Sequence, residues 1–194
     1  MLRQQLPRTW LFTDERLGDW LPAAIAALPC RSGIVFRHYG LSPAARLACL
    51  AQVRRAARRR GHLVLVAQPP HGTRSDGVHL PGHVARLPLP RPRLLTAAVH
   101  DMRERARATR LRADLLFVSP VFATASHPGA HPLGLLGLAR IARRAPAPVV
   151  ALGGLNLRRF RRLPRGVRSR LHGFAAIVGW APCRPGQNDR APPT

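Results

Sequence analysis

Residues 114–154, DLLFVSPVFATASHPGAHPLGLLGLARIARRAPAPVVALGG, constrain the fold more tightly than any other stretch of the chain. An apolar, β-branched run from Leu115 to Phe122 gives way to Thr124, Ser126, His127, Pro128 and Gly129, which reads as a strand followed by a polar loop. Apolar residues then recur at helical spacing at Leu135, Leu138, Ile141 and Ala142. Pro146 and Pro148 bracket a second apolar strand, Val149–Leu152, which ends in the paired glycines Gly153-Gly154. This is a βαβ unit. Parallel strands joined by a helix put their carboxyl ends at the same end of the sheet, so the 123–129 loop and Gly153-Gly154 are expected side by side.

The same alternation runs through the rest of the chain. Short apolar segments at Thr9–Phe12, Gly33–Phe36, His62–Val66, Gly77–Leu80, Leu94–His100 and Phe174–Val178 read as further strands. Helices are expected near Ala23–Leu28, from the Ser42-Pro43 cap to Arg60, over Asp101–Arg112, and from Asn156 to about Pro164. Between Gln68 and Asp76 two prolines and a glycine leave no room for a full helix, so that connection is shortened. Eight short strands interleaved with helices or connectors predict a single (β/α)8 barrel. An open dinucleotide-binding sheet would carry G-x-G-x-x-G after its first strand, where this chain has Thr13-Asp14-Glu15. The expected organisation is a lead-in at 1–8, a barrel over 9–180, and a frayed, proline-rich polar tail at 181–194.

Charge decides which partners to expect. The net charge is +24, and all 32 basic residues are arginine. Such a balance suits polyanions, but the arginines are spread over several helices and only 5% of residues are aromatic, which leaves few stacking platforms for bases. An arginine-only, alanine- and proline-rich composition is also what strong codon bias produces, so no specific nucleic-acid partner is expected. No apolar run approaches the roughly 18–20 residues of a membrane span, and MLRQQLPRTWLF lacks a signal peptide's continuous apolar segment. A cytoplasmic protein is expected. Cys30, Cys49 and Cys183 have neither disulfide-framework nor zinc-ligand spacing.

In barrels the loops after strands 7 and 8 commonly bind phosphate through backbone N–H groups, which makes Gly153 and Gly154 the candidate anion loop. Thr124, Ser126 and His127 follow strand 6 beside it and offer hydroxyl and imidazole donors. Arg37 ends strand 2, where a guanidinium fork suits a diphosphate; His38 and Tyr39 beside it read equally well as rim packing. His79 and His100 read as hydrogen-bonded structural histidines, and Asp14 and Asp76 as caps or turn residues. Two isolated carboxylates form no metal signature.

Taken in order, Val118–His127, Pro148–Gly154 with Asn156, and Asp76–Leu80 resemble the thiamine phosphate synthase and TenI family, as do Thr13-Asp14 and Val99-His100. The resemblance implies a (β/α)8 barrel that joins hydroxyethylthiazole phosphate to hydroxymethylpyrimidine diphosphate with magnesium assistance, acting on small phosphorylated substrates. It assigns Gly153, Gly154, Thr124 and Ser126 to the thiazole phosphate, with His127 where the family has a lysine. Arg37 matches the arginine of the Gln-x-Arg-x-Lys diphosphate motif, whose outer positions are Val35 and Tyr39 here. The magnesium-binding positions after strands 3 and 4 fall on Ala67-Gln68 and near Val84, and a family serine on strand 5 is Ala98. No metal ligand is identifiable in the sequence. A TenI-type thiazole tautomerase, or a barrel that binds thiazole phosphate without catalysis, is the alternative. The histidine of such tautomerases is Pro120 here.

Overall fold

In a computed structural model of the chain, residues 6–70, 72–84, 86, 90–124, 129, 131–177 and 180 are described. The tail expected at 181–194 lies outside them. Eight parallel strands close into one barrel in sequence order: β1 (Thr9–Phe12), β2 (Gly33–Phe36), β3 (Leu63–Ala67), β4 (Gly77–Leu80), β5 (Leu95–Val99), β6 (Leu115–Val118), β7 (Val149–Ala151) and β8 (Gly173–Ala176). β8 pairs back onto β1, with Trp10 opposite Ala175. The helices are α1 (Leu21–Ala27), α2 (Pro43–Arg58), α3 (Met102–Arg110), α4 (Gly134–Arg143), α5 (Leu157–Arg161) and α6 (Arg165–Arg168). A 3-10 stretch, Glu15–Trp20, precedes α1. Among the described residues neither the 68–76 nor the 81–94 connection contains a helix. Among the described residues no helix is long and apolar enough to cross a membrane.

Strand side chains alternate between two apolar compartments, as a barrel requires. Trp10, Phe12, Val35, Leu65, Leu115, Phe117, Val150 and Ala175 fill the interior. Their strand neighbours Leu11, Ile34, Phe36, Val64, Val66, Leu116 and Val118 face the helices, with Leu50, Val53, Leu138 and Ile141 packed from outside. Gly33 leaves the space that the Trp10 indole occupies; a Cβ there would enter the ring. The indole N–H donates to Pro7 O at 2.7 Å.

Strand 6 is shorter than its apolar run suggests. The ladder stops at Val118 because Pro120 has no N–H to donate, and Val121 and Phe122 pair instead with the loop after β7. The amino ends of the strands are clasped by carboxylates. Asp76 donates its N–H to Val64 O and accepts from Val64 N at 2.7 Å. Asp114 does the same with Leu95, its Oδ2 accepting at 2.8 Å. Asp76 is therefore at the opposite end of the barrel from the loops that follow the strands.

Candidate functional site at the barrel mouth

The loops after β6 and β7 form one continuous surface. Val121 donates to Leu152 O at 2.9 Å and Phe122 to Gly153 O at 3.2 Å. Gly153 and Gly154 have φ of +97° and +62°, in the region that favours glycine. A Cβ on Gly153 would stand 2.7 Å from Pro120 Cα, and one on Gly154 2.7 Å from Ala123 O. Both conformation and space thus demand glycine. Among the described residues neither glycine N–H has a hydrogen-bond partner. Asn156 caps α5 by accepting from Arg159 N at 2.8 Å. With five residues α5 adds little dipole. Arg159, unremarkable in the sequence, leans back over the loop: its Nη1 donates to Gly154 O at 2.7 Å, and its guanidinium lies 5.0 Å from the Phe122 ring centre. Thr124 adjoins this surface; Ser126 and His127 lie outside the described residues.

Across the ring, the carboxyl ends of β1 to β3 carry a network of charged side chains. Arg37 is mostly buried, with 17% of its side chain exposed. Its Nη2 donates to Asp14 at 3.0 Å, its Nε to Thr13 O and its N–H to Thr13 Oγ1, and its guanidinium lies 5.5 Å from the Phe12 ring centre. Burial draws the Arg37 pKa down while Asp14 acts against it. Asp14 also takes two hydrogen bonds from the Arg16 side chain. That contact, reinforced by the Arg16 N–H and opposed by partial burial, holds its carboxyl down at about 2. His38 is buried, not at the rim: it stacks on Phe36 at 4.7 Å and meets Thr13 Oγ1 at 2.9 Å. Burial lowers its pKa, and this favours the neutral ring. Tyr39 is half-exposed at the edge.

Arg46 carried no motif, because its role depends on where α2 places it. At the start of that helix it turns inward to the ends of β2 and β3. Its Nη1 donates to Gln68 O at 2.9 Å, and its Nη2 to Ala67 O at 2.5 Å and Arg37 O at 3.2 Å. The α2 run of arginines hides it: in a chain this rich in arginine, only burial distinguishes one from the rest.

Beneath both sides, Phe12, His79 and Phe117 pack edge to face with ring centres 4.8–5.4 Å apart. His79 Nδ1 meets Thr96 Oγ1 at 3.0 Å. Complete burial pushes its pKa down to about 3, with Arg37 and His100 adding to the effect, so the imidazole is neutral. His100 is half-exposed and tied to Glu104 through both its N–H and its Nδ1.

The donor set does not fit a divalent cation. Among the described residues no three His, Cys, Asp or Glu side chains come together. Asp14 is committed to two arginines, Glu15 to Gly40 N–H and Glu104 to His100. The positions that the resemblance assigns to the cation fall on Ala67-Gln68, whose carbonyls both serve Arg46, and near Val84, which packs on the core. Hard oxygen ligands in sufficient number are what Mg2+ requires.

The relatives of this chain agree with its architecture. Thiamine-phosphate synthase of Methanoregula boonei is 30% identical over 183 residues, covering 88% of this chain and 85% of the relative. The corresponding protein of Chloroflexus aurantiacus is 41% identical over 88 residues, 42% of this chain and 40% of the relative. Several curated relatives are matched over less than half of their own length. The solved thiamine phosphate pyrophosphorylase from Pyrococcus furiosus superposes with a TM-score of 0.71 at 25% identity, over 92% of this chain and 88% of that one. A family model described as thiamine monophosphate synthase matches residues 9–179. With a closed barrel, a glycine loop after its seventh strand and a family match spanning most of its length, the chain belongs to the thiamine monophosphate synthase family.

Proposed function

We propose that this barrel transfers the pyrimidine of hydroxymethylpyrimidine diphosphate to the thiazole nitrogen of hydroxyethylthiazole phosphate, giving thiamine phosphate and diphosphate. The observation that carries the reading is the joined β6–β7 surface, where two glycine N–H groups without a hydrogen-bond partner among the described residues lie beside backbone segments too close to admit any side chain. Such amides are preorganised donors for a phosphate. In the transfer, the C–O bond to diphosphate breaks and its electron pair leaves with the diphosphate. The thiazole nitrogen then supplies the pair for the new C–N bond, and no proton moves. Charge accumulates on the departing diphosphate, and Arg37, held by Asp14 and Thr13, is placed to meet it. Phe12 and Phe117, both buried below, help to exclude water that would otherwise capture the pyrimidine cation.

A specific observation favours a second reading. The positions that resemblance assigns to the cation hold Gln68 and Val84, so a barrel that only binds thiazole phosphate, or isomerises it, uses the glycine side alone. The test is thiamine phosphate formation from both substrates by the purified protein, alongside thiazole-phosphate binding by calorimetry. Product formed by the wild type and lost in Arg37→Ala supports the transferase. Binding of thiazole phosphate with no product overturns it in favour of the second reading.

A further inference from the structure

The part of the chain that follows α3 and enters β6 is rich in arginine and holds no acid. Residues 115–188 contain neither Asp nor Glu, while arginines recur along α4, α5 and α6. Where the fold gathers several of these arginines, no carboxylate of the same segment can answer them.

The gathering is at the amino end of the barrel, away from the mouth. Arg8, which precedes β1, and Arg161, Arg165 and Arg168, which precede β8, line a cleft of about 380 Å3 together with Phe160 and Leu171. Backbone contacts hold its walls in place. Phe174 N–H donates to Arg8 O at 3.0 Å and Arg8 Nε to His172 O at 2.9 Å, which latches the lead-in onto the start of β8. On the other wall Arg168 Nη1 donates to Arg161 O. Each of these anchors uses only one of the five N–H donors of its guanidinium. Among the described residues none of the four arginines makes an ion pair. Like charges drawn around one concavity repel, and an anion between them removes the cost.

The rest of the lining is apolar. Phe160 stacks on Phe174 with ring centres 4.7 Å apart, and Phe174 on Trp180 at 5.4 Å, so Phe160 is held rigidly at the end of a three-ring stack. A volume of this size falls within the range of small-molecule sites, roughly 300–1,000 Å3, and exceeds what one phosphate fills. Several positive charges beside an aromatic ring suit a ligand with an oligophosphate at one end and a planar base at the other. The charges surround a single concavity, which fits one nucleotide better than the long track of a polymer.

We infer that this cleft binds a nucleoside triphosphate, with its phosphates on the four arginines and its base against Phe160 and Leu171. The site is separate from the barrel mouth, and the inference does not depend on the transferase reading.

The test titrates ATP and inorganic tripolyphosphate calorimetrically into the full-length protein in EDTA at 0.15 M salt, near physiological ionic strength. ATP is expected to bind about tenfold more tightly than tripolyphosphate, because only ATP brings a base to Phe160. Replacing the exposed Arg161 and Arg165 together, Arg161→Gln with Arg165→Gln, should weaken ATP about a hundredfold, the worth of two charge-assisted interactions. Arg59→Gln with Arg60→Gln removes the same charge from the exposed end of α2 and should leave ATP binding within about twofold. Arg37→Ala, at the mouth, should also leave it unchanged. Should the first double variant fail to fold, Arg165→Gln alone is expected to lose about tenfold. No binding by the wild type, equal affinities for ATP and tripolyphosphate, or equal losses in the two double variants would each overturn the inference. Loss of ATP binding in Arg37→Ala would place the ligand at the mouth instead. An RNA oligonucleotide that binds more tightly than ATP and displaces it would give the cleft to nucleic acid and overturn the inference as well.

Discussion

On the β6–β7 side of the mouth the candidate anion donors are backbone amides, whereas on the β1–β3 side every charged group is a side chain. The first side needs only two glycines in left-handed conformations and the close approach of Pro120 and Ala123. The second needs Arg37, Asp14, Thr13, His38 and Arg46 together, brought from the turns after β1 and β2 and from α2. A backbone site tolerates change in neighbouring side chains, because its donors belong to the chain itself. A side-chain site has no such protection, and here Val35 and Tyr39 stand where the family motif has polar and basic residues. Val35 has joined the apolar interior, and Tyr39 lies over Arg46.

The largest effect that could break this comparison is expected from Gly153→Val. A β-branched residue at φ +97° is strained and meets Pro120, so thiazole-phosphate affinity should fall about a hundredfold or more, with pyrophosphate affinity falling much less. Equal losses for both ligands, measured by calorimetry, would show that the two sides are one site. Next, Arg37→Ala should weaken pyrophosphate binding by about tenfold to a hundredfold while leaving thiazole phosphate largely untouched. An unchanged pyrophosphate constant would remove Arg37 from the diphosphate side.

The shared floor responds to acid. His79 has a folded pKa of about 3 against 6.5 for a free imidazole. Below pH 6.5 the unfolded chain binds a proton that the folded chain refuses, so stability is full above that value and falls as pH drops toward 3. Asp14, held near 2, adds a further loss only as pH falls below about 3.8. Urea midpoints across this range should decline by the equivalent of a few kcal/mol for the wild type. His79→Phe should flatten the upper part of that decline; an unaltered slope would assign it elsewhere. The smallest effect on the mouth is expected from Asp76→Ala. It strands the buried N–H of Val64 at the amino end of the barrel, costing about 1–3 kcal/mol in stability. Both ligand affinities should stay at their wild-type values, and a change in either would mean that the two ends of the barrel are coupled.

Most of the architecture was legible from apolar runs and punctuation, because each strand is buried on both faces and each connection announces itself with Pro, Gly or a cap. The end of β6 was not, since Val121 and Phe122 look like strand but follow Pro120, which ends the ladder. Parallel strands joined by a helix put the loops after β6 and β7 at the same end of the sheet, and the hydrogen bonds from Val121 and Phe122 to Leu152 and Gly153 join them. Asp76 shows the converse: proximity to a strand in sequence does not say which end of the barrel a residue joins until its position before or after that strand is settled.

The order of strands, the glycine loop and the position of Arg37 are local properties, set by composition over a few residues and by the fixed handedness of parallel crossovers. Which of 32 arginines is buried is not local. Arg46 lies on the face of α2 that also buries Leu50, Val53 and Ala57, and packing that helix against β2 and β3 turns its guanidinium toward three carbonyl oxygens instead of water. The sequence thus determined the barrel and the glycine loop after its seventh strand. The charge balance of the other half was decided by tertiary structure, because burial and partners, not residue type, set what a guanidinium does.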